Sequence, residues 1–315
     1  MTTYNIYRRE DGDTNQPVAI ATGVTSKNYS DTTATRGRYY LYSVGAVKNS
    51  VEKVSDEKLM LFGQEWTPAE LSTALYFDAS NVVQSSGVVS QMDDLSGNAF
   101  HAIQSNNSLK PTVAAFANGA LAVKFNGSSQ YLEVATGSRS ILNSVSAWWM
   151  FGVFKITQKS SDNDTLSFGS KAKMMIRGNA NVLNIGGRRL STDSYTSING
   201  TTNIASKDII GFVQANYSTR NLQGFVNATK EAESTSWLTS GLSDNSTAPV
   251  RIGANSSDNP GPGVFSNLQL GCIILGVGVL TEIERQKLEG WAAHKYGLTA
   301  NLSSGHPYKT LAPVI

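Results

Sequence analysis

The chain has 315 residues, 40% of them hydrophobic and 16% charged, with a formal net charge of +2. That length suits one large or two ordinary globular domains, and a near-neutral balance without a Lys/Arg cluster argues against nucleic acid or an anionic membrane as main partner. A single cysteine, Cys272, excludes an intrachain disulfide and a multi-cysteine metal site.

The opening MTTYNIYRRED lacks an apolar signal segment, and no later run approaches the roughly 20 apolar residues of a membrane span. The product is therefore expected to be soluble, made in a reducing cytoplasm, and not inserted in a membrane. YNIYRRE alternates, with Tyr4, Ile6 and Arg8 on one side and Asn5 and Tyr7 on the other; DGDTNQP then turns the chain. PVAIATG is a short strand ending at Gly23. RYYLYSVGAV is a longer one, with Tyr40, Tyr42, Val44 and Ala46 on one face. These stretches resemble the second half of a fibronectin type III domain, and the resemblance makes Tyr40 the tyrosine whose hydroxyl bonds back to the backbone. Such a sandwich needs about seven strands, and the first two would have to precede Tyr4. Three explanations stand side by side: a fragment of a longer protein, a second chain covering the open face, or a reduced module leaning on its neighbour.

FGQEWTPAELSTAL marks a boundary, giving a module over residues 1–63 and a second domain over 64–315. WTPAEL predicts a short helix with Thr67 as N-cap, Pro68 at its first position and Glu70 three residues after the cap. From Leu75 to Leu280 short apolar runs alternate with Gly, Asn, Ser and Asp clusters. Glycine (28) far exceeds proline (8), as tight turns between strands require. This pattern predicts an all-β sandwich or jelly roll. In SAWWMFGVFKI, Trp149, Phe151 and Val153 point one way and Trp148, Met150 and Phe154 the other. That strand is expected to be central and covered on both sides. One cover follows at the end of the chain. Thr281 and Glu284 form a capping box, Leu288, Trp291, Ala292 and Tyr296 recur at helical spacing, and Gly297 with Leu298 supplies a Schellman end. A closing helix over 282–296 is predicted to dock on the sheet.

The run from Leu280 through ERQKLEGWAAHKYGLTANLSSGHPYK resembles the C-terminus of the laminin-G/concanavalin-A-like jelly rolls of bacteriophage tail proteins and bacterial surface proteins. ALYFDAS, DLSGN, VKFNGSSQYLEV and VRIGA fit the same family in the same order, so the resemblance covers about residues 71–309. It implies a concanavalin-A-like, laminin-G-type jelly-roll sandwich with a C-terminal docking helix, preceded by a small fibronectin-III-like β module. It further implies a tail fibre component of a phage virion, assembled with other tail proteins, as a homo-oligomer and most naturally a trimer. Two positions depart from the family: Met92 stands where relatives carry tryptophan, and Cys272 where they carry glutamate.

Catalytic constellations are absent from the sequence. Glucanases of this architecture align three acids on one strand, so that one acts as nucleophile and another as acid/base; here Glu231 and Glu233 share a face without a third. His101, His294 and His306 are scattered, and the latter two fall in the tail motif, which suggests structural hydrogen bonds. No cofactor is required. Calcium is left open, because many jelly rolls of this kind hold one at a rim; Asp93, Asp94, Asp162, Asp164, Asp244 and Asp258 are the candidate oxygens, each with an equally good reading as turn chemistry.

The expected function is non-catalytic binding of bacterial surface polysaccharide, which calls for aromatic faces and planar polar groups on loops at one rim. The best-supplied loops are GGRRLSTDSYTS (186–197) and ESTSWLTSGLSDNS (233–246), offering Arg188, Arg189, Tyr195 and Trp237. The alternatives are a structural spacer in the virion and, behind it, a capsule depolymerase. For Tyr195 and Trp237 the competing reading is that they tuck under their own loops as anchors.

Overall fold

The computed structural model describes residues 2–35, 37–157, 163–168, 172–177, 181–255 and 261–315. The chain divides into two compact units, Met1–Trp66 with Ala312–Ile315, and Thr67–Leu311. The division falls just beyond the boundary read from sequence, and the last four residues belong to the first unit.

In that unit β1 (Thr3–Glu10) lies between β2 (Val18–Val24) and β3 (Arg38–Lys48), and β3 continues to β4 (Val51–Val54) and β5 (Lys58–Phe62). All pairs are antiparallel. Register places Tyr4 beside Ala46, Ile6 beside Val44 and Arg8 beside Tyr42, so the alternation seen in YNIYRRE becomes one sheet face. Tyr40 is buried and its hydroxyl accepts the N–H of Thr35 at 3.0 Å, the backward bond expected of it. The chain end adds to this unit. Trp66 N–H donates to the Pro313 carbonyl, Ile315 N–H to the Gln64 carbonyl, and Glu65 bridges Val314.

The second unit opens with a single 3-10 turn at Pro68–Glu70. Thr67 precedes it but makes no side-chain cap, so the predicted capped helix is one turn only. Its strands are β6 (Leu75–Ser85), β7 (Val88–Asp94), β8 (Ala102–Ile103), β9 (Thr112–Ala115), β10 (Leu121–Asn126), β11 (Leu132–Val134), β12 (Ala147–Ile156) and β13 (Asn163–Phe168). Then come β14 (Ala172–Arg177), β15 (Val182–Gly187), β16 (Thr196–Asn203), β17 (Ile209–Asn216), β18 (Asn221–Val226), β19 (Thr229–Ser234), β20 (Val250–Ile252) and β21 (Asn267–Val277).

These strands make an all-β sandwich. One layer runs β19-β18-β17-β12-β21-β10-β9, the other β16-β15-β14-β13-β20-β11-β8-β7. β6 joins the layers by crossing between them: Leu75–Asp78 pair with β21 and Val82–Ser85 with β7. Between the layers Trp148, Met150, Phe154, Val213, Ile273 and Leu275 meet Leu132, Val134, Leu166, Met174, Ile185 and Ile252 in one core. Met92, the residue in place of tryptophan, is fully buried there.

The other face of the first layer is apolar too, with Trp149, Phe151, Val153, Phe212 and Ile274 all buried. α1 (Glu282–Lys295) supplies its cover. The capping box forms: Glu284 N–H donates to Thr281 Oγ1 at 3.2 Å and Thr281 N–H to Glu284 Oε2 at 2.8 Å. Trp291 meets Tyr76 of β6 edge-on at 6.2 Å, and Tyr296 meets Phe116 at 6.1 Å. The helix ends as a Schellman motif. Gly297 takes φ +63°, and Leu298 N–H reaches the Ala293 carbonyl at 2.7 Å.

Buried polar contacts hold this lid and the tail that follows it. Asp78, 1% exposed, accepts Lys295 Nζ at 2.6 Å and the Tyr296 hydroxyl at 3.0 Å. Glu289, also 1% exposed, holds Arg285 at 2.6 Å and His306 at 3.3 Å. The tail is tied by His294 Nε2 to the Tyr308 carbonyl at 3.0 Å, and by Lys309 Nζ to the carbonyls of Thr299 and Leu302. Gly290 is required, because a Cβ there would run into Tyr308. His294 and His306 thus serve structure. Cys272 faces Asp78 in register, and burial first, then the Asp78 charge, pushes its thiol up to about 12. A thiol so protonated is inert.

Trp291→Ala removes the largest side chain at the docked face and is expected to cost about 3–5 kcal/mol, read as a lower urea midpoint in circular dichroism.

Candidate functional site

The loops 186–197 and 233–246 do lie together, after β15 and after β19, and their contacts show how. Arg189 Nη2 donates to Thr239 Oγ1 at 2.7 Å and Nη1 to the Leu242 carbonyl at 2.9 Å. Asp244 returns the link, accepting Ser191 N–H at 2.6 Å. Arg188 Nη1 donates to the Ser191 carbonyl at 3.0 Å within its own loop. Both guanidinium groups are therefore committed to holding loops.

Trp237 corrects the sequence reading. It is 2% exposed, stacks on Tyr217 at 5.5 Å with the rings 14° apart, and donates Nε1–H to the Thr196 carbonyl at 3.1 Å. Tyr217 continues the chain of contacts: its hydroxyl accepts Trp148 Nε1–H at 3.0 Å and donates to the Arg188 carbonyl at 3.2 Å. The polar surroundings of Trp237 in sequence come from a turn that folds over it. Tyr195 is half-buried beside β16. Of the four expected ligand groups, the structure gathers all into one loop cluster and uses Trp237 and Arg189 as its internal anchors.

A different place has the chemistry of a binding site. On the outer face of β17 and β18, beside the start of α1, a pocket of about 280 Å³ is lined by Phe212, Gln214, Gln223, Phe225, Lys230 and Arg285, with Leu280, Thr281 and Glu282 at its side. Strand pairing builds it. Phe212 lies opposite Phe225 and Gln214 opposite Gln223, while Phe225 lies opposite Lys230 and Gln223 opposite Glu233 on β19. Arg285 covers the Phe225 ring at 4.2 Å and is itself held by Glu289. Glu233 accepts Lys230 Nζ at 2.8 Å and Gln223 Nε2 at 2.7 Å, and Gln214 Oε1 accepts Leu280 N–H at 2.7 Å. The result is a polar pocket: amide, ammonium and guanidinium groups, their positions already fixed, stand over a buried aromatic pair. The alternation of LQGFVNATKEAES could have indicated it, but nothing in the sequence showed which strands would be neighbours.

The pair Glu231 and Glu233 does not share a face. Pairing passes from Gly224–Ala232 to Phe225–Lys230, leaving Glu231 as the extra residue of a bulge. Its carboxylate turns to β16 and accepts the N–H and hydroxyl groups of Thr201 and Thr202 at 2.6–2.9 Å, fastening the edges of the two layers. Partial burial opposes ionisation of Glu231, but those bonds outweigh it and hold the group at about 2. Bonds from Lys230, Gln223 and Asn221 hold Glu233 at about 2 as well.

Of the candidate calcium oxygens, Asp94 is occupied by four donors: the N–H groups of Tyr76, Ser96 and Phe100 and the Ser96 hydroxyl. Asp93 accepts Gln91 Nε2 at 2.7 Å. Asp162, Asp258 and the Asp164 side chain lie outside the described residues. Among the described residues, no three His, Cys, Asp or Glu side chains are grouped to hold a metal ion.

No protein-family model matches the chain, and no curated protein matches it. Among solved structures it is similar to the CBM40 of Ruminococcus gnavus IT-sialidase bound to alpha2,3 sialyllactose, at 12% identity over 52% of this chain and 92% of that one, with a TM-score of 0.43. It is also similar to the binding domain of Paraclostridial Mosquitocidal Protein 1, at 14% identity over 67% and 52% of the two chains, TM-score 0.48. A third is Trypanosoma rangeli sialidase in complex with sialic acid, at 12% identity over 91% and 48%, TM-score 0.47. The chain spans about half the length of the last two. Likeness of this order assigns no activity.

Two outcomes follow. Trp237→Ala is expected to lower stability by about 3 kcal/mol or more, measured as a drop in melting temperature. The Glu231 carboxylate, depressed in the fold to about 2 from its ordinary 4.5, adds stability that is complete above pH 4.5 and lost as pH falls toward 2. Unfolding in urea across that window should show the gap between parent and Glu231→Gln closing.

Proposed function

We propose that this chain binds bacterial surface glycan without hydrolysing it, through the pocket on the outer face of β17 and β18, and that it does so as part of a phage tail. The observation that carries the reading is that pocket, in which polar side chains gather over the buried Phe212–Phe225 pair. Gln214, Gln223, Lys230 and Arg285 are pre-positioned for hydroxyl or carboxylate groups. A volume of about 280 Å³ suits one or two sugar rings at a chain end.

Against hydrolysis stands the state of the nearby acids. A glycosidase acid must keep its proton near neutral pH, which needs a raised pKa. Glu231 and Glu233 are both held at about 2 and are carboxylates throughout the working range. The tail setting rests on the resemblance of the closing motif to laminin-G/concanavalin-A-like tail proteins, and the virion is the expected location.

Gln223→Ala and Lys230→Ala should each weaken binding to host polysaccharide by about tenfold, the loss of one good hydrogen bond, with the melting temperature unchanged. The check is a glycan array and whole-cell adsorption with the full chain. Full adsorption by both variants would remove the pocket from the reading, and a parent that binds no glycan would favour a spacer role. Release of reducing sugar, abolished by one carboxylate substitution, would replace binding with depolymerisation.

A further inference from the structure

The first unit carries a cleft of about 630 Å³, larger than the glycan pocket, between one face of its sheet and the segment Ser26–Asp31. Its floor is Tyr4, Ile6, Tyr42, Val44, Met60 and Phe62, all brought to the same face by the β1–β3 and β3–β5 registers. Met60 is 51% exposed and Val44 41%, an open apolar surface of the kind that marks a contact site.

The charges around it have one sign to spare. Lys53 lies opposite Ala46 and Lys58 opposite Tyr42, on the floor's own face, and Lys27 stands in the covering segment. None of the three makes an ion pair among the described residues. Asp31 is committed to Arg8 at 2.7 Å, Glu10 to Arg38 at 2.5 Å and Glu57 to Arg9 at 2.6 Å; of the acids close to the cleft's lysines in sequence Asp56 makes no ion pair among the described residues, which leaves three lysines against it. Asp31 also accepts the Tyr42 hydroxyl at 2.8 Å, so the covering segment is pinned at one end of the cleft.

From this we infer that the cleft docks an acidic segment of another protein, one that presents apolar side chains to the floor and carboxylates to Lys27, Lys53 and Lys58. Two copies of this chain meeting face to face would set those lysines against each other, which like-charge repulsion opposes. A homotrimer would have to be built on other surfaces.

The test uses the full chain and three fluorescent probes: a short peptide alternating valine and glutamate, its valine–lysine counterpart, and polygalacturonate. The acidic peptide should bind, the basic one should not, and salt should weaken the complex. Met60→Glu alone, and Lys27→Glu, Lys53→Glu and Lys58→Glu together, should each reduce binding about tenfold or more, with melting unchanged because these side chains are exposed. Equal binding of both peptides, no binding of either, or polygalacturonate binding lost in Met60→Glu would overturn the assignment. So would sedimentation showing self-association of the parent that Met60→Glu abolishes. None of these readouts involves the β17–β18 pocket, whose variants test the glycan reading separately.

Discussion

A sheet that is apolar on both faces cannot stand at a protein surface, and this constraint governs the larger unit. The core takes one face of β12, with Trp148, Met150 and Phe154. The other face, with Trp149, Phe151 and Val153, requires a second cover, and the sequence from Thr281 onward provides it. The helix alone would be a loose cover. Its docking on the sheet is fixed by a polar contact placed where mis-seating would strand a charge, Asp78 under Lys295 and Tyr296, while Glu289, paired with Arg285 of the same helix, ties the tail at His306. Removing one partner of such a pair leaves the other uncompensated in a low-dielectric setting, so these contacts specify position more than they add stability.

The same economy explains the acids. Asp78, Glu289 and Asp94 are buried and each is answered by counter-charge or by N–H donors. Glu231 replaces ladder bonds where the edges of two layers meet, and Glu233 orders Lys230 and Gln223. In this fold carboxylates are structural connectors. The low values of Glu231 and Glu233 follow from the donors that surround them.

Much of this was legible in the sequence, for physical reasons that can be named. The two-faced strand, the capping box, the Schellman glycine and the backward bond of Tyr40 are local patterns, set by side-chain period or by contacts a few residues apart. What could not be read depended on neighbours distant in sequence. The bulge that turns Glu231 away from Glu233 is a property of pairing with β18. Trp237 sits among serines and threonines and reads as exposed until Tyr217 is known to lie beneath it. The meeting of loops 186–197 and 233–246 is likewise a matter of distant neighbours, and there Arg188, Arg189 and Trp237 make internal bonds that hold the loops.

One arrangement bears on how the protein is made. The first unit is stitched from opposite ends of the polypeptide: residues 64–66 pair with 313–315, and the Tyr39 hydroxyl reaches the Ala312 carbonyl at 3.3 Å. During synthesis β1 to β5 emerge first, yet the last of their hydrogen bonds must wait until Ile315 has left the ribosome. In the interval the jelly roll and its lid can fold as a unit of nearer contacts. The unit whose strands come earliest in this sequence is thus completed by residues at its far end, and until those arrive the backbone of 64–66 stays unpaired.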